Sequence, residues 1–186
     1  MTPRQTYSVK IAGVTRELPL FQVAPGLRIA VLNLLGDTEL VESCADALTE
    51  RLSRLKVDVL VTAEAKSIPL AHALSTRIKK PYIILRKSYK PYMGVALMAE
   101  TLSITTGHAQ TLYLDEKDHN ILKGKNVILL DDVISTGSTM RGMKELMEKA
   151  GAVITATAAV FTEGNEKDWS GIIALGNLPL FHGATD

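Results

Sequence analysis

Four short apolar runs, spaced through the chain, constrain its fold more than any other feature. They cover residues 57–61, 82–85, 126–130 and 154–161 and are rich in valine, isoleucine and leucine. Nearly continuous apolar runs of this length are typical of strands buried on both faces of a parallel sheet. Between them, apolar residues recur every three or four positions, as on the buried face of a helix. We therefore predict an α/β fold with an open, mainly parallel twisted sheet flanked by helices.

Sequence signals also mark the ends of two helices. Asp37 and Thr38 precede an apolar pattern over residues 41–55, and this order predicts a helix start. A second pattern, over residues 140–150, is followed by Gly151, a typical helix stop. Helix boundaries and hydrophobic periodicity therefore agree.

Two segments lie outside the region in which predicted strands and helices alternate. Residues 1–36 precede it, and we expect them to form a small N-terminal flap, or hood. Residues 86–118 interrupt it with one proline, two glycines and several charges, and we expect a mobile hairpin lid there, with short strands at 101–104 and 111–114. Because no repeat or linker divides the chain, residues 1–186 are expected to form a single domain.

Composition excludes several classes of protein. With 46% hydrophobic and 22% charged residues, the chain is neither disordered nor fibrous. A net charge of +1 creates no global field for nucleic acid or anionic membranes, so an anion site must be local. Cys44 is the single cysteine and fits a reducing compartment. The amino terminus has no signal or transit pattern, and apolar runs fall short of the roughly 20 residues that span a bilayer. We expect a cytoplasmic protein that binds neither nucleic acid nor membranes.

The third apolar run leads directly into the most informative segment, VILLDDVISTGST at residues 127–139. Its loop consists of Ser135, Thr136, Gly137, Ser138 and Thr139. A loop between a strand end and a helix start offers backbone N–H groups and the positive end of the helix dipole to a phosphate. Asp131 and Asp132 can accept hydrogen bonds from a vicinal diol such as that of ribose. The segment therefore predicts a site for a sugar that carries a phosphate.

The spacing excludes two other phosphate-binding motifs. A dinucleotide site has G-x-G-x-x-G with its acid about 20 residues later, and a P-loop has G-x-x-x-x-G-K-[ST]. Residues 127–139 instead resemble, at every position, the phosphoribosyl pyrophosphate signature of type I phosphoribosyltransferases. The resemblance implies Mg²⁺ as cofactor, with no direct protein ligand assigned to the metal. The alternative interpretation is a buried strand followed by helix-capping residues, although a cap requires one acid rather than two.

A second loop, TAEAKS at residues 62–67, also follows an apolar run. It resembles the pyrophosphate loop of adenine phosphoribosyltransferases, which commonly reads E-A-R-G and often contains a non-proline cis peptide. The resemblance implies that Ala65, Lys66 and Ser67 bind pyrophosphate. Lysine in place of arginine keeps the charge but loses the bidentate fork. The alternative is that Lys66 is a solvated surface residue.

A cluster of cations follows the second apolar run, in the sequence RKSYK at residues 86–90. It resembles the R-K-x-x-K segment that faces pyrophosphate in purine phosphoribosyltransferases, which implies the same role for Arg86, Lys87 and Lys90. The alternative is a solubilising charge cluster. The predicted catalytic residues, which would position substrate and stabilise charge, are Asp131, Asp132, Lys66 and Arg86.

The resemblance favours the purine branch of the family but leaves the base open. Adenine enzymes usually carry P-G-x-x-F-R-D and L-E-Y-G, whereas this chain has PGLRIAV at 25–31 and ITTG at 104–107. Leu32 and Asn33 are more similar to xanthine enzymes, whose Asn contacts the base. Glu163 could accept a hydrogen bond from an exocyclic amine and would repel an anionic oxopurine. Asn33 could equally be a turn residue and Glu163 a surface charge.

These features give one leading hypothesis and two alternatives. The leading one is a purine phosphoribosyltransferase of nucleotide salvage, with phosphoribosyl pyrophosphate and adenine as substrates. The alternatives are a 6-oxopurine enzyme acting on xanthine, hypoxanthine or guanine, and a catalytically inactive regulatory protein that binds phosphoribosyl pyrophosphate. The family resemblance also implies a homodimer. Phe161 and Trp169 receive no role, because lone aromatics usually belong to the core.

Overall fold

The structure, a computed structural model, describes residues 4–102 and 109–183. In these residues the strands are β1 (Thr6–Ile11), β2 (Val14–Ala24), β3 (Leu27–Ala30), β4 (Val59–Ala63), β5 (Tyr82–Leu85), β6 (Leu97–Leu102), β7 (Ala109–Leu114), β8 (Asn126–Ile134), β9 (Val153–Glu163), β10 (Ile173–Leu178) and β11 (Phe181–His182). The helices are α1 (Thr38–Leu52), α2 (Ile68–Ile78), α3 (Glu116–Leu122) and α4 (Ser138–Lys149), with 3₁₀ turns at Pro91–Met93 and Glu166–Trp169. No helix in this part of the chain is long and apolar enough to cross a membrane.

A five-stranded parallel sheet forms the centre of the molecule, in the order β10-β9-β8-β4-β5. Successive side chains of a strand point to opposite faces, so the sheet supports two apolar cores. One core contains α1 and α2, and the other contains α4 and the β6–β7 hairpin. The predicted parallel α/β sheet with flanking helices is therefore confirmed.

The hood is a separate antiparallel sheet in the order β1-β2-β3-β11. Its first three strands come from the predicted N-terminal segment, whereas β11 comes from the other end of the chain. Arg16 on β2 forms two hydrogen bonds with the carboxylate of Asp37, at 2.7 and 2.8 Å, and a third with Glu39. Asp37 also caps α1 by accepting from the N–H of Leu40. One carboxylate thus starts α1, as predicted, and joins the hood to the core.

The predicted hairpin lies within residues 86–118, but its strands begin earlier than the sequence indicates. Strand β6 starts at Leu97. Along it, the buried residues Ala99 and Thr101 alternate with exposed ones, and the buried face packs on α4. On α4, a Cβ at Gly142 would lie only 2.8 Å from the Thr101 side chain, so the glycine permits this close approach. The β6–β7 hairpin is therefore packed on α4. Its mobility stays a prediction, and residues 103–108, including the ITTG motif, lie outside the described residues.

Candidate active site

Strand β8 carries the predicted diacid to the carboxyl end of the sheet. The strand continues beyond the apolar run to Ile134, so Asp131 and Asp132 lie within its ladder with β9. The backbone N–H of Asp132 donates to Asp131 Oδ1 at 2.9 Å. Burial, together with the nearby negative charge of Asp132, raises the pKa of Asp131 well above its usual range. Two carboxylates held together in this way favour ligands that donate hydrogen bonds or carry positive charge.

The predicted phosphate loop joins β8 to α4. Gly137 adopts a left-handed backbone with φ of +68° and provides no side-chain cap for the helix. The first turn of α4 therefore faces a small pocket lined by Asp131 and by residues 133–140. An uncapped helix start of this kind is suited to an anion. Within the loop Ser135 is exposed, whereas Ser138 is buried.

The second predicted loop lies beside this strand end because β4 and β8 are neighbours in the sheet. It begins with a cis peptide between Glu64 and Ala65. Ser67 is buried and shares a 2.7 Å hydrogen bond with Thr62, whose hydroxyl also donates to the carbonyl of Leu130 at 2.8 Å. The Ser67 hydroxyl thus ties the loop to both strands, and its contact with pyrophosphate stays a prediction.

Lys66 joins three parts of the molecule. Its Nζ donates to the carbonyl oxygen of Leu32 in the segment after the hood, at 3.2 Å, and lies 3.8 Å from Asp132 Oδ2. Its side chain is about half exposed, so the ammonium group faces solvent as well as the carboxylate. Lys66 is therefore part of the cleft rather than an isolated surface lysine.

One cleft of about 150 Å³ brings seven of the predicted site residues together. Its lining residues are Ala63, Glu64, Ala65, Lys66, Ser67, Lys87, Asp131, Asp132, Val133 and Thr139. Cations and carboxylates thus meet across β4 and β8. A ligand with both hydroxyl and phosphate groups would find complementary partners on the two walls of this cleft.

The remaining predicted cations take different positions. Arg86 Nε lies 2.7 Å from Glu64 Oε2, and the backbone N–H of Lys87 donates to Glu64 Oε1 at 2.5 Å. Arg86 lines a neighbouring pocket with Tyr92, and Lys90 is exposed at the start of a 3₁₀ turn. Of this segment, Lys87 is the residue that the structure places in the lining of the cleft.

The predicted base-binding residues are less closely grouped. The side chain of Leu32 is buried in the core, so its carbonyl is the part that reaches Lys66. Asn33 is exposed, and its Oδ1 accepts from the N–H of Leu35 at 3.2 Å, as in a turn. Glu163 is buried at the end of β9, where desolvation raises the pKa of its carboxyl group. Leu32 and Asn33 line a pocket of about 500 Å³ beside Lys66, and Glu163 is not among the described residues of that lining.

The donor set is compatible with Mg²⁺ held mainly by a substrate. Within residues 4–102 and 109–183, no three His, Cys, Asp or Glu residues form a cluster able to hold a metal. Mg²⁺ commonly keeps water and phosphate ligands and takes few from the protein. The adjacent carboxylates of Asp131 and Asp132 would complement a cation bound in that way.

Two residues that the sequence analysis left without a role have clear contacts at this site. Glu64 orders the cation segment, and its place next to Ala65 in the resembling loop is a signal that could have identified it. Trp169 places its ring beside Gly137. No sequence pattern links these two positions, because the contact depends on the path of the chain after β9.

The fold and the two strand-end loops define an α/β protein with a charged cleft at the carboxyl end of its parallel sheet. A family model described as phosphoribosyl transferase domain matches residues 33–171. The chain therefore belongs to the phosphoribosyltransferase family, as the sequence resemblance implies.

Two enzymes and one transcriptional activator illustrate the proteins to which the chain is similar in sequence. An adenine phosphoribosyltransferase of Thermosipho africanus is 34% identical over 143 residues, covering 76% of this chain and 80% of the relative. A hypoxanthine/guanine phosphoribosyltransferase of Methanocella paludicola is 42% identical over 113 residues, covering 61% of this chain and 56% of the relative. The purine biosynthesis transcriptional activator PurR of Lactococcus lactis is 25% identical over 185 residues, covering 96% of this chain and 66% of the relative. The chain thus spans little more than half the length of the Methanocella relative.

Solved structures share the fold at low sequence identity. Adenine phosphoribosyltransferase of Giardia lamblia, complexed with 9-deazaadenine, matches with a TM-score of 0.72 and 18% identity, covering 86% of this chain and 93% of that one. The enzyme of Thermoanaerobacter pseudethanolicus matches with a TM-score of 0.71 and 20% identity, covering 86% and 95%. The predicted purine branch of the family is confirmed, and both adenine and hypoxanthine/guanine relatives occur within it.

Proposed function

We propose that this protein transfers the 5-phosphoribosyl group from phosphoribosyl pyrophosphate to a nitrogen of a purine base and releases pyrophosphate. The observation that carries the proposal is the shared cleft, in which Lys66 and Lys87 face Asp131 and Asp132 beside the phosphate loop. This cleft and the adjoining pocket of the phosphate loop can together hold both ends of phosphoribosyl pyrophosphate. Few other metabolites combine a vicinal diol, a terminal phosphate and a pyrophosphate in one molecule.

Each part of the substrate has a partner in this proposal. Asp131 and Asp132 accept hydrogen bonds from the ribose hydroxyls, and the loop of residues 135–139 binds the 5-phosphate through backbone N–H and hydroxyl groups. Ala65, Lys66 and Ser67 lie around the pyrophosphate, together with Lys87. Arg86 and Lys90 complete the cationic surface from outside the cleft lining.

The reaction needs no side-chain nucleophile. A purine nitrogen attacks C1 of the ribose with inversion, while the bond from C1 to the pyrophosphate oxygen breaks and its electron pair leaves with pyrophosphate. The N–H proton of the base is released to pyrophosphate or to solvent. Positive charge develops on the ribosyl group in the transition state, where Asp131 and Asp132 would stabilise it, and the cations receive the negative leaving group. Mg²⁺ bound to the substrate would supply further charge neutralisation. A closed lid would exclude water, which competes with the base for C1.

Adenine is the first base to test. The alignment with the Thermosipho adenine enzyme covers 76% of this chain, and that with the Methanocella hypoxanthine/guanine enzyme covers 61%. A carboxylate at Glu163 favours an amino-substituted purine over an anionic oxopurine, since it can accept from an exocyclic amine. Leu32 and Asn33 would line the base site from the hood side. Xanthine, hypoxanthine and guanine are the alternatives. We also propose that the protein acts as a cytoplasmic homodimer, as the family resemblance implies.

A second candidate function is regulation. The match to the transcriptional activator PurR spans 96% of this chain, more than either enzyme relative mentioned above. A regulator that senses phosphoribosyl pyrophosphate needs the same diol and phosphate contacts but no productive base site. The two candidates therefore differ in turnover and not in binding of phosphoribosyl pyrophosphate.

A product assay decides between them. The protein is incubated with Mg²⁺, phosphoribosyl pyrophosphate and separately adenine, guanine, hypoxanthine, xanthine, uracil or orotate, and products are identified by mass spectrometry. The control is the double variant Asp131→Asn/Asp132→Asn. We expect adenosine monophosphate from adenine with the wild type and no product with the control. Product from an oxopurine instead would reassign the base, and binding of phosphoribosyl pyrophosphate without any product would favour the regulator.

A further inference from the structure

The indole ring of Trp169 lies against the turn of the phosphate loop. A Cβ built on Gly137 would be 3.5 Å from two carbons of the ring, Cη2 and Cζ3, which is ordinary van der Waals contact. Gly137 is the left-handed residue that turns the chain from β8 into α4. The ring therefore lies beside the loop, about one methyl group away from the residue where the chain changes direction.

Trp169 is itself held in place from three sides. Its Nε1–H donates to the carbonyl oxygen of Glu163 at the end of β9, at 2.8 Å. Its own carbonyl accepts from the N–H of Ile172, also at 2.8 Å. The ring packs against the core cluster that includes Ile134 and Met140, which flank the phosphate loop on either side. A side chain anchored at both its backbone and its ring nitrogen can act as a rigid support.

We infer that Trp169 is a positioning residue for the 5-phosphate, acting by bracing the loop at Gly137 so that its N–H groups stay directed into the pocket. The inference rests on the proposed function of that loop. A loop that is ordered before binding loses less conformational entropy when the phosphate arrives, and affinity rises accordingly. The ring does not line the shared cleft with Asp131, so it has no direct part in the chemistry.

Trp169 is expected to affect the binding of the 5-phosphate end of the substrate and not that of the pyrophosphate end. Ribose 5-phosphate contains the group that the loop binds, whereas inorganic pyrophosphate is proposed to bind around Lys66, on the neighbouring strand. Loss of the Trp169 ring should therefore weaken the binding of ribose 5-phosphate and leave the binding of pyrophosphate unchanged. A general loss of structure would weaken the binding of both ligands.

The test measures both ligands by calorimetry on the wild type and two variants. Trp169→Leu keeps apolar bulk against the core but loses the ring, and Trp169→Phe keeps a ring that is too short to reach Gly137. The control is Tyr82→Leu, because Tyr82 is another half-buried aromatic but lies at the amino end of β5, away from the site. We expect roughly tenfold weaker ribose 5-phosphate binding for Trp169→Leu, a smaller loss for Trp169→Phe and none for the control. Pyrophosphate affinity should stay within about twofold in all of them.

Fluorescence gives a second readout, since Trp169 is the single tryptophan of the chain. Its emission should change when ribose 5-phosphate binds to the wild type and stay unchanged with pyrophosphate. In the proposed reaction, the KM for phosphoribosyl pyrophosphate should rise in Trp169→Leu while kcat stays near that of the wild type.

Three results would overturn the inference. Unchanged ribose 5-phosphate affinity in Trp169→Leu would remove the bracing role and leave the proposed function intact. Equal weakening of both ligands would make the ring a general structural residue. A wild type that binds neither ligand would refute the proposed function itself, and the inference with it.

Discussion

Glu64 arranges the cations at the end of β5 unequally. Its carboxylate accepts from the backbone N–H of Lys87 and pairs with Arg86, so both residues are fixed beside the loop of β4. Lys87 consequently lines the cleft. Lys90 lies three residues further along, at the start of the 3₁₀ turn Pro91–Met93. Residues of identical chemistry in one short segment should therefore contribute very differently to pyrophosphate binding.

The pair Lys87→Met and Lys90→Met tests this difference. Each substitution removes one ammonium group and keeps a similar length of apolar side chain. We expect Lys87→Met to weaken pyrophosphate binding roughly tenfold, because a charge-assisted hydrogen bond to phosphate is lost, and Lys90→Met to weaken it less than about twofold. Isothermal titration calorimetry with inorganic pyrophosphate and Mg²⁺ measures both. Equal losses would show that the segment acts only through its total charge.

Secondary structure elements differ in how far the sequence predicts them. The apolar run of β5 has the observed bounds, Tyr82–Leu85, because Pro81 precedes it and the charged Arg86 follows it. Strand β8 is predicted to end at Leu130 but continues to Ile134, since its hydrogen bonds with β9 persist through the two aspartates. Strand β11 carries no signal, because it forms only by pairing with β3, far away in sequence. Local patterns thus predict the buried strands, and long-range pairing decides the rest.

The candidate site divides in the same way. The diacid and the loop after it form one continuous segment, so the sequence alone predicts their binding chemistry. The contacts of Glu64 with the cation segment, and the proximity of the Trp169 ring to Gly137, involve residues far apart in the chain. The burial of the Leu32 side chain also depends on how the hood packs. These features follow from the tertiary structure and from no local pattern.

The turn between β8 and α4 leads to a prediction at the scale of elements. Gly137→Ala should lower the free energy of unfolding by roughly 1–2 kcal/mol, because alanine is strained at a φ of +68°. The matched control is Gly171→Ala, whose added Cβ meets nothing within 4 Å and whose backbone is not left-handed. It should change stability by less than about 0.5 kcal/mol. Urea unfolding followed by circular dichroism measures both, and equal effects would contradict the role of the left-handed turn.

On the scale of the whole molecule, hood and sheet are joined at the cleft. The Arg16–Asp37 pair links β2 to the start of α1, and Lys66 links the segment after β3 to Asp132. Because the chain has a net charge of only +1, these local charges, rather than a global field, determine the electrostatics of the site. Their balance also affects the stability of the protein without ligand, since burying two adjacent carboxylates is unfavourable.

That cost gives the stability of the whole molecule a definite pH dependence. Burial and the charge of Asp132 raise the pKa of Asp131 in the folded state, whereas an unfolded aspartate titrates near about 4. Between the unfolded and the raised folded pKa, the folded protein binds more protons. Its stability is therefore greatest below the unfolded value and falls as pH rises through the folded one. Lys87, the nearby cation, opposes the shift without cancelling it.

The variant Asp131→Asn cannot lose this proton, so it should lack this part of the pH dependence. We expect the wild type to lose stability relative to Asp131→Asn as pH rises from 5.5 to about 8.5, in metal-free buffer without ligand. Asp132→Asn should show a smaller loss than the wild type, because the neighbouring charge that helps to raise the pKa is gone. Urea unfolding of the three proteins across this interval measures the differences. Parallel pH profiles for the wild type and Asp131→Asn would contradict a raised pKa at Asp131.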